Sequence, residues 1–243
     1  MDNLKRTLVI MVSIGDRTHI SDYTFPQASA WAAVHGYSIL LLKEALVAEG
    51  KAPHFNKLIA HRAAPGFDRY IVIDDDLMLK KSAPKMEDIP AGYVGLCADV
   101  VQTNTDASHV TWTGNTGFIV ADQSSLSILE EAYDNGEYIT GEVNGKTNLP
   151  IWGPYDQAAL NNTLFKYEKA FKLDPRWNYQ AVIDFYACGK GWDVWRKNKL
   201  YRIWYYVSVF VNPFGIERKK LNAAYGIHMT MGMYPKFFAK LHK

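Results

Sequence analysis

The chain has 243 residues, 48% of them hydrophobic and 21% charged, a composition that can bury a core and excludes an extended disordered chain. A formal net charge of +2 gives no ground for a nucleic-acid partner, which calls for a marked basic excess. The two cysteines, Cys97 and Cys188, stand far apart without metal-ligand spacing; this argues against a disulfide framework and makes a reducing compartment the default.

In chain order, Thr7–Ser13 (TLVIMVS) is a continuous apolar run that closes on Ile14-Gly15-Asp16, the pattern of a buried parallel strand entering a loop. It is far shorter than the ~20 residues of a membrane span, and no signal-peptide cleavage pattern follows it. The chain is therefore expected to be cytoplasmic, or peripheral to the inner face of a membrane. Tyr23–Val34 predicts a helix, with Ala28, Trp31, Ala32 and His35 at helical spacing and Gly36 as its C-terminal cap. Tyr37–Leu42 predicts a second strand, His54–Ala63 a helix ended by Pro65-Gly66, and Arg69–Ile73 a third strand. Alternating strands and helices imply right-handed crossovers and a mostly parallel sheet, whose ligands bind at the carboxyl ends of the strands.

Further on, Tyr93–Ala98 and Gly117–Ala121 predict short strands separated by a polar loop over residues 102–115. Ser124 is placed to cap a helix through Tyr133, with Leu126, Leu129 and Tyr133 on one face. Residues 136–148 read as a loop or exposed hairpin, and Tyr155–Phe165 as a helix. The aromatic run Arg202–Phe214 (RIWYYVSVFVNPF) is also too short to span a membrane, and most of it is expected to pack in the core. No internal repeat or linker breaks the chain, so one domain over residues 1–243 is the simpler reading.

The third predicted strand runs into three carboxylates: Arg69–Leu79 reads RYIVIDDDLML. Adjacent carboxylates repel one another and resist desolvation, and a bound cation removes both costs. Alternation along an extended segment puts Asp74 and Asp76 on one side and Asp75 on the other. The hard oxygens of such a pair suit Mg²⁺ or Mn²⁺. Asp-x-Asp alone is a weak signal, and a solvated acidic loop is its bland alternative. Its place after an apolar strand and before Leu77-Met-Leu79 favours a metal-phosphate site.

Strand–Asp-x-Asp–apolar resembles the signature of the GT-A fold glycosyltransferases, which use nucleotide-diphosphate sugars. AWAAVHGYSILLL (Ala30–Leu42), HFNKLIA (His54–Ala60), GNTGFIVAD (Gly114–Asp122), PYDQAALNNTL (Pro154–Leu164) and GIHMTMG (Gly226–Gly232) follow in the order of that family. They are similar to the galactosyl/xylosyltransferase group of yeast mannan and plant xyloglucan enzymes. Residues 139–152 match nothing in the group, and no membrane anchor like that of its Golgi members precedes the first strand. The resemblance implies an α/β, GT-A (Rossmann-like), mostly parallel sheet flanked by helices, with a short antiparallel element.

It also implies a metal-dependent transferase that moves a hexose or pentose from a nucleotide-diphosphate sugar, by default UDP-linked, to a glycan or lipid-linked acceptor. Asp74, Asp76 and His228 would hold the metal, Mn²⁺ or Mg²⁺, with the imidazole favouring Mn²⁺. Lys57, Asp74, Asp75 and Asn115 would bind the donor, with Lys57 on phosphate or sugar. Asp156 and Gln157 would line the sugar pocket and act in catalysis. In a retaining reaction, which the resemblance favours, either would stabilise positive charge on the ring; in an inverting one Asp156 would be the base.

Each residue has a structural alternative. His228 could be a satisfied loop histidine, Lys57 part of a solvated face, Asn115 a turn cap, and Asp156 a residue favoured by the helix dipole. Trp112 and Trp152 are candidates for stacking on acceptor sugars. The last eleven residues, with Lys236, Lys240, His242 and Lys243 around Phe237, Phe238 and Leu241, could touch an anionic membrane or form a docked helix. The rival functions are another metal-dependent phosphoryl or nucleotidyl transferase and a noncatalytic sugar- or nucleotide-binding module.

Overall fold

A computed structural model describes residues 6–100, 109–136, 150–151, 153, 155–186, 199–230 and 234–240. Among these the chain runs β1 (Thr7–Val12), α1 (Thr18–His35), β2 (Ser38–Leu42), α2 (Asn56–Ile59), β3 (Arg69–Asp74), β4 (Leu77–Leu79), β5 (Val94–Ala98), β6 (Gly114–Asp122) and α3 (Leu126–Asn135). It continues with α4 (Tyr155–Lys166), β7 (Ala170–Lys172), β8 (Tyr179–Gln180), α5 (Ala181–Tyr186), α6 (Lys199–Phe210), α7 (Ile216–Ala223), β9 (Gly226–His228) and α8 (Pro235–Ala239).

The main sheet has the order β2-β1-β3-β6-β5-β7. Five of its strands share one direction, and β6 alone runs antiparallel to both neighbours. A second, three-stranded sheet has the order β4-β9-β8, with β4 antiparallel and β8 parallel to β9. The mostly parallel α/β sheet with a short antiparallel element, expected from the sequence, is the observed architecture.

The continuous apolar runs exist because both faces of the sheet are covered. Along β1, Leu8, Ile10 and Val12 enter one core and Val9 and Met11 the other; along β3, Tyr70 and Val72 divide from Ile71 and Ile73 in the same way. Phe55, Leu58 and Ile59 close the first face together with α3 and α4 residues such as Leu129, Ala132, Leu160 and Leu164. Ala28, Trp31 and Ala32 of α1, with Trp177, close the second. Each fully buried Ile or Leu contributes about 1.5–3 kcal/mol.

Several boundaries differ from the sequence reading. Helix α1 begins at Thr18 rather than Tyr23, because its first turns are polar and Pro26 interrupts the apolar pattern that would reveal it. It ends as expected on Gly36 in the left-handed region (φ 70°). The expected helix over His54–Ala63 is α-helical only at Asn56–Ile59 and tightens to 3₁₀ turns on either side. Asn56 pins this segment: its Oδ1 accepts from the Leu46 and Val47 amides at 2.6 and 3.3 Å, and its Nδ2 donates to the Pro53 carbonyl at 2.7 Å. Strand β6 starts at Gly114, inside the expected loop. Ser124 does not cap α3; its hydroxyl accepts from the Gly92 amide at 2.9 Å.

The aromatic run is the main correction. Tyr205 and Val209 are buried as expected, but Ile203, Trp204, Val207, Val211 and Phe214 are exposed. Large apolar side chains stand on both the buried and the exposed face, so periodicity does not tell the two apart. Of the C-terminal residues, Phe238 is buried in the core around Tyr205, while Tyr234 and Phe237 keep exposure. Cys97 is a buried free thiol; Cys188, and residues 137–148 of the expected loop or hairpin, lie outside the described residues. No helix among the described residues is long and apolar enough to cross a membrane.

Candidate functional site

The site forms where the ends of β1, β3 and β9 meet the starts of β4 and β6. In the register of β1 and β3, Val12 lies opposite Asp74. The chain then turns through Asp75 and Asp76 into β4, which leaves the main sheet for the small one. There Leu77 pairs with His228, and the Met229 amide donates to the Asp76 carbonyl at 2.8 Å. Backbone pairing thus brings His228 to Asp76 across 152 residues of sequence. From the other side, β6 runs toward β3 with its first residues, Gly114 to Gly117, lying beyond the last β3 pairing at Phe118–Ile73.

Asp74, Asp76 and His228 form a metal-capable cluster whose ligand atoms all lie within 4.8 Å of one another. His228 Nε2 is 3.1 Å from an Asp76 oxygen and 3.7 Å from one of Asp74. The opposite ring nitrogen, Nδ1, is 2.8 Å from Asn178 Oδ1. Asn178 uses its own Nδ2 to donate to Asn115 Oδ1 at 2.8 Å, so its oxygen is left to accept from His228. That bond places one proton on Nδ1 and leaves Nε2 as the ring nitrogen that faces the carboxylates, the orientation a metal ligand needs. Gly117 makes room for the ring: a Cβ there would stand 2.4 Å from His228 Cε1. Asp74 and Asp76 side chains remain 24% and 21% exposed, so the cluster is open on one side.

The protonation pattern fits a cation site. Burial raises the Asp74 pKa, and Asp76 adds to the rise against the pull of Lys57. Burial would raise Asp76 too, but His228 overcomes it and, with Arg17 and Lys57, lowers that pKa. Burial would lower His228, yet Asp76 and Asp74 outweigh it and raise the imidazole pKa. A proton held between Asp76 and His228 is the charge that a divalent cation would displace. Two hard carboxylates and one imidazole fit Mn²⁺, and Mg²⁺ less well.

Asp75 faces elsewhere. Its Oδ2 accepts from Ser13 Oγ at 2.8 Å and Arg17 Nε at 2.5 Å, its Oδ1 accepts from Arg17 Nη2 at 2.6 Å, and its carbonyl accepts from Thr24 Oγ1 at 2.6 Å. Ser13 and Arg17 belong to the loop after β1, so Asp75 ties that loop to the end of β3.

Lys57 is buried and central. Its Nζ lies 3.1 Å from Asp74, 2.9 Å from Asp156 and 3.1 Å from Thr116 Oγ1. Burial would lower its pKa, but the two carboxylates outweigh it and raise it, so the ammonium stays charged. Beside it, Gln157 Oε1 accepts from Asn115 Nδ2 at 3.2 Å, and Gln157 Nε2 donates to Asp99 Oδ2 at 2.8 Å. Asn161, one turn along α4, binds both the Gly114 amide (2.7 Å) and carbonyl (2.8 Å) and so clamps α4 to the start of β6. The Asp99 amide donates to the Thr113 carbonyl at 2.8 Å, closing the neck between β5 and β6.

The structure brings Lys57, Asp74, Asp76, Asn115, Asp156, Gln157 and His228 into one connected network and sets Asp75 behind it. Sequence reasoning missed Asn178, Asp99, Thr116 and the Ser13–Arg17 pair on Asp75. It also missed Gln180, which is fully buried in register with His228 and has no partner for either polar atom of its amide. Buried unpaired groups cost about 1–3 kcal/mol, so this amide is one to watch for a ligand or water. The segment Asp174–Gln180 gave no signal beyond its aspartate-proline start. Trp112 packs edge-on against Phe165 at 5.3 Å, with Lys172 Nζ 5.6 Å from its ring; Trp152 lies outside the described residues.

No protein-family model and no curated protein matches the sequence. Solved structures do resemble the fold. A glycosyltransferase involved in glycosylation of the major capsid of PBCV-1 superposes with TM-score 0.56 at 15% identity, covering 98% of each chain. The galactosyltransferase LgtC, in complex with donor and acceptor sugar analogs, gives 0.54 at 12% identity over 97% of this chain and 95% of its own. GlyE of Streptococcus pneumoniae TIGR4 gives 0.54 at 12% identity; it covers 98% of this chain, which spans only 60% of GlyE. At these identities the likeness is one of fold, and the fold is that of GT-A glycosyltransferases.

Proposed function

We propose that this protein is a metal-dependent glycosyltransferase, a single GT-A domain over residues 1–243. It would transfer a hexose or pentose from a nucleotide-diphosphate sugar, UDP-linked by default, to a glycan or lipid-linked acceptor. The observation that carries the reading is the Asp74–Asp76–His228 cluster at the carboxyl rim of the sheet, with Nε2 of His228 oriented by Asn178 and Lys57 alongside. Mn²⁺ bound there would act as a Lewis acid on the diphosphate. The narrower kinship with the galactosyl/xylosyl group rests on the sequence motifs alone.

In this reading Lys57 holds Asp74 and Asp156 in place and lends positive charge near the diphosphate. Asn115 and Gln157 line the sugar pocket. The Gln157 carbonyl, oriented by Asn115 and by its own bond to Asp99, faces the positive charge that grows on the sugar ring as the C1–O bond to the diphosphate breaks. Retention is the favoured outcome: the acceptor hydroxyl attacks on the face the diphosphate leaves, and its proton passes to the departing phosphate oxygen. The placement of Asp156 supports this over inversion. It is 3% exposed with an oxygen 2.9 Å from Lys57 Nζ, a poor placement for a base that must meet an acceptor hydroxyl. Asp75 supports the site indirectly, through Arg17 and Ser13.

Calorimetric titration of UDP with Mn²⁺ and with EDTA, on wild type and Asp76→Ala, tests the reading. Binding that needs both the metal and Asp76 is the expected result, followed by release of UDP from a UDP-sugar. Failure of UDP, GDP and CMP alike would overturn it. Metal-dependent nucleotide binding without turnover of any donor would move the protein to the binding-module class.

A further inference from the structure

We infer that the outer face of α6 is a membrane-docking surface that sets this protein on an anionic bilayer. Helix α6 turns Leu200, Ile203, Trp204 and Val207 to solvent, and Val211 continues the same stripe one turn later. Exposure reaches 63% at Trp204 and 73% at Leu200. The opposite side of the helix carries Tyr205 and Val209 into a core with Met78, Leu221 and Phe238. The helix thus carries large apolar side chains on opposite faces, and only one of those faces is covered. Water is a poor neighbour for the other, and a patch of this kind marks an interaction site.

The patch continues beyond the helix. Phe214, in the turn that follows, is 82% exposed. Helix α8 lies alongside, with Phe237 5.3 Å from Tyr206 and 5.9 Å from Phe210 between ring centroids, and it adds the exposed edge of Tyr234. Aromatic side chains with long aliphatic neighbours are suited to the headgroup–acyl boundary, where an in-plane helix buries its apolar face.

Charge selects the occupant. From Lys199 to Lys240 the sequence holds seven cations (Lys199, Arg202, Arg218, Lys219, Lys220, Lys236 and Lys240) and one acid, Glu217. Glu217 is largely covered and lies 3.7 Å from Lys220. Lys199 on α6, Lys219 on α7, Lys236 on α8 and Lys240 just after it are exposed, whereas Lys220 is paired with Asp184 at 2.6 Å. A second copy docked by two-fold symmetry would set these lysines against their own equivalents, with no exposed acid in the stretch to answer them. An anionic lipid surface answers them all. This extends membrane contact from the chain's last residues to a helix packed beside them, and it does not depend on the transferase reading.

Co-sedimentation of the full chain with phosphatidylcholine vesicles, with and without phosphatidylglycerol, tests the inference. The chain should partition onto the phosphatidylglycerol vesicles and come off as salt is raised. The double variant Trp204→Glu, Val207→Glu should lower partition about a hundredfold, and Lys236→Gln with Lys240→Gln about tenfold. Both pairs should leave urea unfolding and nucleotide titration unchanged, so failure of docking is separable from failure of the proposed activity. Absence of wild-type partition onto anionic vesicles overturns the inference. A wild-type dimer that the Trp204→Glu, Val207→Glu variant dissociates, without vesicle binding, also overturns it and assigns the face to a second copy.

Discussion

At its first residue β3 carries Arg69, and at its last it carries Asp74; the two ends handle charge differently. Arg69 donates from Nε to Asp122 Oδ1 at 3.0 Å, directly across the β3–β6 pairing, and from Nη2 to Asp88 at 2.6 Å. Its side chain is 4% exposed, while Asp88 stands mostly in solvent. That end is settled within the protein. At the other end Asp74, Asp76 and Asp156 face Lys57 and a histidine whose charge depends on a shared proton. Carboxylate there exceeds fixed positive charge, and the side left open faces the rim. A charge cluster that is closed holds a fold together, and one left incomplete points to a ligand.

Substitutions at the two ends should therefore separate stability from binding. Arg69→Ala should be the most damaging to the fold, by about 3–5 kcal/mol in urea unfolding, because Asp122 loses its guanidinium in a buried setting; metal affinity of the surviving folded protein should hardly change. Asp76→Asn should do the reverse. Metal-dependent nucleotide binding should fall more than about a hundredfold, beyond what outer-shell changes cost, while stability without metal falls by less than in Arg69→Ala, because the lost contact with His228 is offset in part by relief of repulsion with Asp74. A large loss of metal-free stability in Asp76→Asn would contradict the comparison.

Finer probes follow. Asn178→Ala should weaken metal binding by about 10–100-fold, since His228 loses the partner that fixes its tautomer; calorimetry with Mn²⁺ would read this directly. Ser13→Ala removes one hydrogen bond to Asp75 and should cost about 0.5–1.5 kcal/mol of stability, with nucleotide affinity little changed. An effect on affinity as large as that of Asn178→Ala would instead put Asp75 among the donor contacts.

The strands that deliver the site were legible because they are buried on both faces: β1 and β3 are unbroken apolar runs, and the aspartates at the end of β3 stand out against them. Gly36 was legible as local chemistry, while Asp156 and Gln157 entered through the motif resemblance. Asn178 and Asp99 were not, since each acts through a partner 50 or more residues away, and the sequence around them has no period or spacing to mark it. Gly114 and Asn115 looked like loop because their polarity serves the rim rather than the strand. On α6 the failure ran the other way. Large apolar residues on both faces read as core, and only packing shows that the core covers one face.

The closed neck between Asp99 and Thr113 has a consequence for how such a protein can diversify. The Asp99 amide and the Thr113 carbonyl hold the two ends of the intervening segment together, and Asn161 fixes the strand that follows. Lengthening a segment whose ends are already joined adds little entropy of closure, about 0.6 kcal/mol for each doubling. A change of length between these two residues that leaves Val110 and Trp112 packed can therefore be accepted at small cost, without shifting the strands that carry Asp74 and Asp76. That makes this interval a natural place to graft a different segment onto an unchanged frame.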